Sequence, residues 1–287
     1  MRAPELTERF EQARPRLRAV AYRMLGSVDD ADDAVQEAWL RLSNQRDGID
    51  NLDAWLTTVV ARICLNILRA RRNAEELVDR LPDPIIDPVQ GTDPEHLAML
   101  ADSVGLALFV VLDRLPPDER LAFVLHDVFA VPFAQIAPIV ERTPTATRKL
   151  ASRARGRIEA AQPQPDGDLT AQRTVVDAFF AAGRAGDFER LVEVLHPDVV
   201  LRGDFGRSQL RVIEGAKAVA EQAKMYGGPH RDVRAATING AAGAVIFMHD
   251  RPVSVMAFTV VDGKVAAIDT LADQERIARL DLSAVAL

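Results

Sequence analysis

Pro132 to Arg157 reads PFAQIAPIVERTPTATRKLASRARGR, and the reading of this stretch decides the fold. Phe133, Ile136, Ala137 and Val140 share one face of a short helix. Thr147, Leu150, Ala151, Ala154 and Ile158 repeat the i, i+3, i+4 spacing in a second helix. Between them Thr143 can cap the second helix with its hydroxyl, and Pro144 suits a first helical position where no N–H is needed. Two small apolar faces joined by a capped break predict a helix-turn-helix. Pro138 falls inside the first helix, where a lost hydrogen bond and a ring clash cost about 3 kcal/mol, so that helix is expected to kink or to start nearer Pro138. The second helix carries Arg148, Lys149, Arg153, Arg155 and Arg157, with no acid between Thr143 and Ile158. Such a face suits a major groove; the bland alternative is a solvated surface helix.

Working outward, 287 residues suggest about two domains, or three if some are small and helical. The net charge of -7 argues against tight DNA binding by the chain alone, because affinity for DNA comes largely from cations that release phosphate counterions. The signs are segregated, however. Basic patches lie at Arg69 to Arg72 and Arg148 to Arg157, and acids gather at Asp29 to Glu37 and Asp79 to Glu95. This predicts weak DNA binding completed by a larger partner. Cys64 is the single cysteine, so no disulfide within the chain and no thiolate metal site is expected; its apolar neighbours make it a buried structural thiol. No cofactor or metal is expected. The opening MRAPELTERFEQ lacks the apolar core of a signal peptide, and no stretch approaches the roughly 20 apolar residues of a membrane span. A soluble cytoplasmic protein without a membrane partner is expected.

Towards the N-terminus three helices are expected. Glu5 to Leu25 turns Phe10, Leu17, Val20, Ala21, Met24 and Leu25 inward. Ser27 to Ser43 starts with aspartates that suit the positive end of a helix dipole and buries Ala31, Ala34, Val35, Ala38, Trp39 and Leu42. Leu52 to about Arg72 buries Trp55, Leu56, Val59, Val60, Ile63, Cys64, Ile67 and Leu68 along one side. Its end, Arg69-Ala70-Arg71-Arg72, suits the negative end of the dipole or could touch phosphates.

These residues carry a resemblance. DDADDAVQEAWLRL followed by AWLTTVVARICLNILRARR resembles conserved region 2 of the bacterial sigma factors of the extracytoplasmic-function class, group IV. LDRLPPDERLAFVLHDVFAVPFAQIA, ending in RKLASRAR, resembles their region 4. The resemblance implies a non-catalytic alternative sigma factor that binds core RNA polymerase and promoter DNA. It assigns Asp32, Asp33, Gln36, Glu37 and Leu40 to the polymerase clamp. It assigns Asn44, Asp47 and Asn51 to a base flipped out of the minus-ten element, whose unstacking cost a snug polar pocket must recover. Arg62, Asn66, Arg69, Arg71 and Arg72 fall where the family contacts minus-ten DNA; simple helix solvation is the alternative for Arg62 and Asn66. Arg148, Lys149, Ser152 and Arg153 are the candidates for reading the minus-thirty-five element, with Arg155 and Arg157 as phosphate contacts. Between the regions a linker rich in Pro and acid, with Pro82, Pro84, Pro88 and Pro94, is expected to be extended and semi-rigid. A helix from His96 to Leu115 and another from Asp118 to Val128 then support the helix-turn-helix.

Beyond Ala161 the composition changes to α+β. Thr170 to Ala185, Phe188 to Leu195 and Ala216 to Met225 read as helices. Val199 to Arg202, Arg231 to Ile238, Ala244 to Met248, Val253 to Val261 and Val265 to Thr270 read as strands, with Asn239-Gly240 and Asp262-Gly263 as hairpin turns. AAGRAGDFERLVEVLHPDVVL and VIEGAKAVAE resemble the SnoaL-like cone fold, which a subgroup of these sigma factors carries at its C-terminus. The organisation expected is therefore two all-α sigma domains followed by an α+β SnoaL-like cone. Region 2 occupies 1–74, the linker 75–97, region 4 98–161, a hinge 162–168, and the cone 169–287. The subgroup's acidic glycine motif appears here as Gly203-Asp204-Phe205-Gly206-Arg207. Its Asn-Pro-Asp-Lys-Leu motif appears as Ala272-Asp273-Gln274-Glu275-Arg276, and its linker motif Trp-Leu-Pro-Glu-Pro as Arg80-Leu81-Pro82-Asp83-Pro84. These departures point to a docking surface of its own.

Asp204, His230, His249 and Asp269 are the candidate regulatory or ligand residues of the cone. No acid/base pair stands out, so an intramolecular contact with the sigma domains that regulates activity in cis is the expected role. The alternative readings are a one-component helix-turn-helix regulator with a ligand-sensing domain, and an enzyme housed in the last domain.

Overall fold

The computed structural model describes residues 3–45, 49–73, 80–89, 105–161, 165–206, 210–226 and 231–285. They form two compact units: Met1–Leu77, Pro94–Asp102 and Val111–Ala161 in the first, and Val78–Asp93, Ser103–Val110 and Gln162–Leu287 in the second.

In the first unit, helix α1 (Ala3–Leu25) ends where Gly26 takes φ +68, a left-handed cap open to a residue without Cβ. Its N–H reaches the Tyr22 carbonyl at 2.8 Å. Ser27 then starts α2 (Val28–Ser43), its Oγ accepting from Asp30 N at 3.4 Å. Helix α3 (Leu52–Asn73) follows. Phe10, Leu17, Val20 and Met24 of α1 meet Ala31, Val35 and Leu42 of α2 and Leu56, Val60 and Cys64 of α3 in one buried core. Trp39 lies partly covered at the core edge, its ring 4.9 Å from the Phe10 ring and tilted to it. The stripes expected on α1 and α2 are the ones buried, apart from a partly covered Trp39; on α3 Leu56, Val60, Ile63 and Cys64 are buried, but Trp55, Val59, Ile67 and Leu68 are only partly covered, and Ala61 and Leu65 are buried with the core instead.

Helix α4 (Gly105–Asp113) is apolar all round, GLALFVVLD, and the boundary between the units falls inside it. The expected start of this helix at His96 lies outside the described residues. Leu115-Pro116-Pro117 ends it and opens α5 (Pro117–Phe123), with Pro117 in the first turn. The expected helix to Val128 widens into a π-turn over Val124–Val128. Helix α6 (Phe133–Ile136) is a single turn. Pro138 neither kinks it nor starts it: without an N–H the ring cannot extend the helical ladder, and the chain continues as turns, Ile139 N reaching Ile136 O at 2.9 Å. Thr143 accepts from Ala146 N at 3.2 Å and caps α7 (Pro144–Ala161), which buries Thr147, Leu150, Ala151 and Ala154.

In the second unit, α8 (Leu169–Ala185), α9 (Phe188–Val194) and α10 (Ala216–Tyr226) pack on one face of a seven-stranded sheet. Asp168 and Asp187 cap α8 and α9. The strands are β1 (Ile86–Asp87), β2 (Leu195–Asp204), β3 (Leu210–Glu214), β4 (Arg231–Ile238), β5 (Ala241–Met248), β6 (Arg251–Val261) and β7 (Lys264–Leu271). They are ordered β1-β4-β5-β6-β7-β2-β3, all antiparallel except β2 against β7. The expected α+β cone is present, with two strands that periodicity did not indicate: β3, and β1 from the stretch read as linker. Val176, Phe179, Leu191, Val219, Phe258 and Ile268 fill the helix-covered face. Ile86, Leu106, Ile238, Phe247, Val255, Leu271 and Ile277 form a separate apolar cluster. Asp166 is pinned rather than free, its carboxylate accepting from Asp262 N and Gly263 N at 3.0 and 2.9 Å.

Candidate functional site

Three surfaces carry the candidate residues. The first is the outer side of α2 and the ends of α3. The buried stripe of α2 leaves Asp32, Asp33, Gln36, Glu37 and Leu40 exposed, with Leu40 53% open. Asp32 is held by Arg18 at 2.6 and 3.0 Å, and Glu37 by Arg41, whereas Asp33 and Gln36 have no side-chain tie among the described residues. Asn44 and Asn51 serve as helix caps here: Asn44 Nδ2 donates to Leu40 O at 2.8 Å, and Asn51 Oδ1 accepts from Ala54 N at 3.0 Å. Asp47 lies outside the described residues. Arg62, Asn66 and Arg72 are exposed on α3. Arg69 is 2.9 Å from Asp118 of α5, and Arg71 is 2.7 Å from Asp30 of α2.

The Arg69 pair belongs to an interface that sequence reasoning missed. Arg120 of α5 is 2% exposed; its Nε and Nη2 donate to the Arg23 carbonyl at 3.0 and 2.8 Å, and its Nη1 to Asp113. That carbonyl lies in the last turn of α1, where carbonyls lack helical partners and cations are favoured. Arg23 is itself buried, its guanidinium 5.3 Å from the Phe129 ring. Asn51, Asp53, Thr57 and Thr58 line a cleft with Pro132, Gln135 and Ile139. The helical bundle and the helix-turn-helix thus close on each other. Cys64 lies beneath this contact, its thiol pushed up to about 12 by burial, with the Arg120 charge pulling the other way. A lone apolar cysteine is legible in sequence; a buried arginine in α5 is not, because its partner is a backbone carbonyl 97 positions away.

The second surface is α7. Arg148, Lys149, Ser152, Arg153, Arg155 and Arg157 are all exposed. The basic face is nevertheless not unopposed, since acids reach it from outside the helix. Glu119 of α5 meets Arg153 and Arg157 at 3.2 and 3.1 Å, and Asp127 of the π-turn pairs with Arg155. The hydrogen bond and charge of Asp127 hold Arg155 above the ordinary arginine range. Arg148 lies 5.5 Å from the Phe133 ring.

The third surface is in the second unit, where the three stretches that depart from the subgroup's motifs meet. Arg276 donates Nη1 to Asp204 Oδ2 at 2.6 Å, Nη2 to Leu81 O at 2.6 Å, and Nε to Asp83 at 3.1 Å. Asp204 Oδ2 also accepts from Leu81 N at 2.8 Å. Leu81, Ile85 and Ile86 are buried, Ile85 N donates to Asn239 Oδ1 at 3.0 Å, and β1 pairs with β4. The segment read as a spacer is clipped to the cone over Leu81 to Asp87. Asp204 is a clip residue, and Asp269 is tied to Arg202 at 2.5 and 3.0 Å. Burial works against the charge of Arg202, but Asp269 more than offsets it and its affinity for the proton is raised. His249 stands exposed in the β5–β6 turn and His230 lies outside the described residues.

Residues 9–74 match Sigma-70 region 2, and residues 106–158 match Sigma-70, region 4. The chain is 39% identical over 285 residues to the ECF RNA polymerase sigma factor SigJ of Mycobacterium tuberculosis, covering 93% of this chain and 91% of that relative. The chain belongs to the ECF RNA polymerase sigma factors. A second relative, the probable ECF RNA polymerase sigma factor SigI of Mycobacterium tuberculosis, is 32% identical over 88% of both chains. The crystal structure of the Mycobacterium tuberculosis extracytoplasmic function sigma factor SigJ superposes with a TM-score of 0.76 at 36% identity, covering 96% of this chain and 99% of that one. The similarity therefore runs through the cone as well as the two sigma regions. The protein is an alternative sigma factor for transcription initiation, and sigma factors bind core RNA polymerase and promoter DNA. Among the described residues no helix is long and apolar enough to cross a membrane.

Proposed function

We propose that the cone of this ECF sigma factor regulates initiation in cis by holding the linker between its two promoter-binding regions. The clip of Arg276 with Leu81, Asp83 and Asp204 is the observation that carries the proposal. Minus-ten and minus-thirty-five elements are about 25 base pairs apart, roughly 85 Å at 3.4 Å per base pair. Regions 2 and 4, joined through Arg120 and Arg23, cannot reach both at once. The linker over 75–97 spans on the order of 80 Å only when fully extended, so it has no slack to spare. Pinned over Leu81 to Asp87 it cannot extend, so initiation requires its release.

In the released protein Asp33, Gln36 and Leu40, with Asp32 and Glu37, would meet the polymerase clamp, and complementary charge would guide that encounter. Arg62, Asn66, Arg69, Arg71 and Arg72 would meet minus-ten DNA, and α7 would meet the minus-thirty-five element. The cone would act as a regulator rather than an enzyme, and the protein would work in the cytoplasm beside the polymerase. Run-off transcription with purified core polymerase tests this, comparing the wild-type chain with Asp83→Asn and Arg276→Met. Release of the clip is expected to raise output at least threefold from unchanged start sites, while the linker becomes sensitive to protease. Level output from chains whose linker is demonstrably cut faster would overturn the proposal.

A further inference from the structure

We infer that Glu119 is a positioning residue for promoter contact. It grips one edge each of Arg153 and Arg157, so that their remaining edges present a fixed pair of guanidiniums to the DNA backbone. The inference rests on the reading of α7 as the helix that meets the minus-thirty-five element.

The argument begins with the faces of α7. At 3.6 residues per turn, the buried set Thr147, Leu150, Ala151 and Ala154 lies opposite Thr145, Lys149, Ser152 and Gly156, all exposed. Those four form the crest that would enter a groove first. The arginines occupy the two flanks: Arg153 and Arg157 on one, Arg148 and Arg155 on the other. Each flank is tied to a supporting element. Phe133 and Asp127 hold one side, and Glu119 holds the other.

Glu119 is an unusual anchor. Its side chain is 6% exposed, yet the guanidiniums it meets are 61% and 54% exposed. Arg153 approaches Oε1 through Nε at 3.2 Å. Arg157 approaches Oε2 through Nη1 at 3.1 Å without hydrogen-bond alignment, and that oxygen has no hydrogen-bond donor among the described residues. The buried charge is thus balanced by two arginines that each commit one nitrogen to it. A guanidinium has five N–H donors in a rigid fork. An arginine anchored by one edge therefore keeps other donors in a set direction, and the two stand one helical turn apart on the flank that faces a phosphate strand when the crest faces bases. A lysine is a poor replacement for either, because its three donors rotate about one nitrogen on a flexible stem and hold no set direction. Region 2 takes part in the same acidic pair of residues: Asp118, next in sequence, holds Arg69.

Simple electrostatics and positioning make opposite predictions. Removing a carboxylate beside DNA should tighten binding if charge alone matters, and should weaken it if the carboxylate aims the arginines. The test measures promoter binding by holoenzyme assembled from core polymerase and the full chain, over a series of salt concentrations, on a promoter selected from genomic fragments. Arg153→Lys keeps the charge on an exposed site and leaves the fold in place. It is expected to weaken binding about tenfold and to lower the salt slope by about one, the share of one phosphate contact. Glu119→Gln is expected to weaken binding by a similar factor, and the double variant to be no worse than either single one. Wild-type affinity and slope in Arg153→Lys, or tighter binding by folded Glu119→Gln, overturns the inference. If Glu119→Gln unfolds, Arg153→Lys alone decides. A wild-type holoenzyme indifferent to a scrambled minus-thirty-five element overturns the reading of α7 and this inference together.

Discussion

Arg120 shows what a single residue contributes when its partners are far away in sequence. Its guanidinium satisfies the Arg23 carbonyl twice and pairs with Asp113 while almost wholly buried. Breaking a buried charged pair by removing one partner typically costs about 3–5 kcal/mol, because the remaining group is left desolvated. Arg120→Met fills most of the volume and restores none of the donors. It is expected to lower the stability of the first unit by about 3 kcal/mol, measured by urea unfolding, whereas Glu11→Gln at an exposed pair is expected to cost under about 0.5 kcal/mol. Equal small losses would show that the contact between regions 2 and 4 is incidental. At this scale the sequence is legible where chemistry is local. The apolar stripes, the Thr143 cap and the buried Cys64 all follow from neighbours within a few positions. Arg120, Glu119 and Arg276 were not legible, because each is defined by partners on other elements. Asn44 and Asn51 show the reverse: candidates for base recognition by resemblance, they also have a local task as helix caps.

At the scale of elements, turn chemistry explains both what was readable and what was not. Asn239-Gly240 and Asp262-Gly263 take φ of 50° and 79°, and 51° and 70°, the left-handed pair that joins twisted strands. The third hairpin uses His249 and Asp250, at φ 50° and 58°, with no glycine to announce it. A side chain in the left-handed region costs about 1–2 kcal/mol in general and less for an aspartate, whose short side chain tolerates it, and glycine avoids the cost. Asp250→Gly is therefore expected to raise the melting point of the second unit by about 1–2 °C, read by calorimetry, and a clear fall would show that the aspartate is needed there for another reason. Helix α6 was misjudged because its apolar spacing runs on past Pro138, and the missing N–H, not the pattern, ends the helix. Strand β1 is two residues inside a proline-rich run, too short for any periodicity. Only the register against β4 identifies it.

At the scale of the molecule, ordered resemblances within 29–72 and 112–155 make the two sigma regions readable, since both have sequence-local cores, and the family matches at 9–74 and 106–158 agree with them. The state of the linker was not readable. A chain with Pro82, Pro84 and Pro88 is equally suited to free extension and to lying along a sheet, and the choice is made by Asn239, Asp204 and Arg276, far along the sequence. The same proline-stiffened segment that would span promoter elements is thereby held by the domain at the other end of the chain. The measurement that tests the account most directly is run-off transcription on genomic fragments with purified core polymerase, with and without the full-length chain. The account predicts discrete start sites that appear only when the chain is present, each preceded by shared minus-ten and minus-thirty-five sequences. No chain-dependent initiation, together with a footprint made by the chain alone, would contradict it and favour a regulator that acts without joining the polymerase.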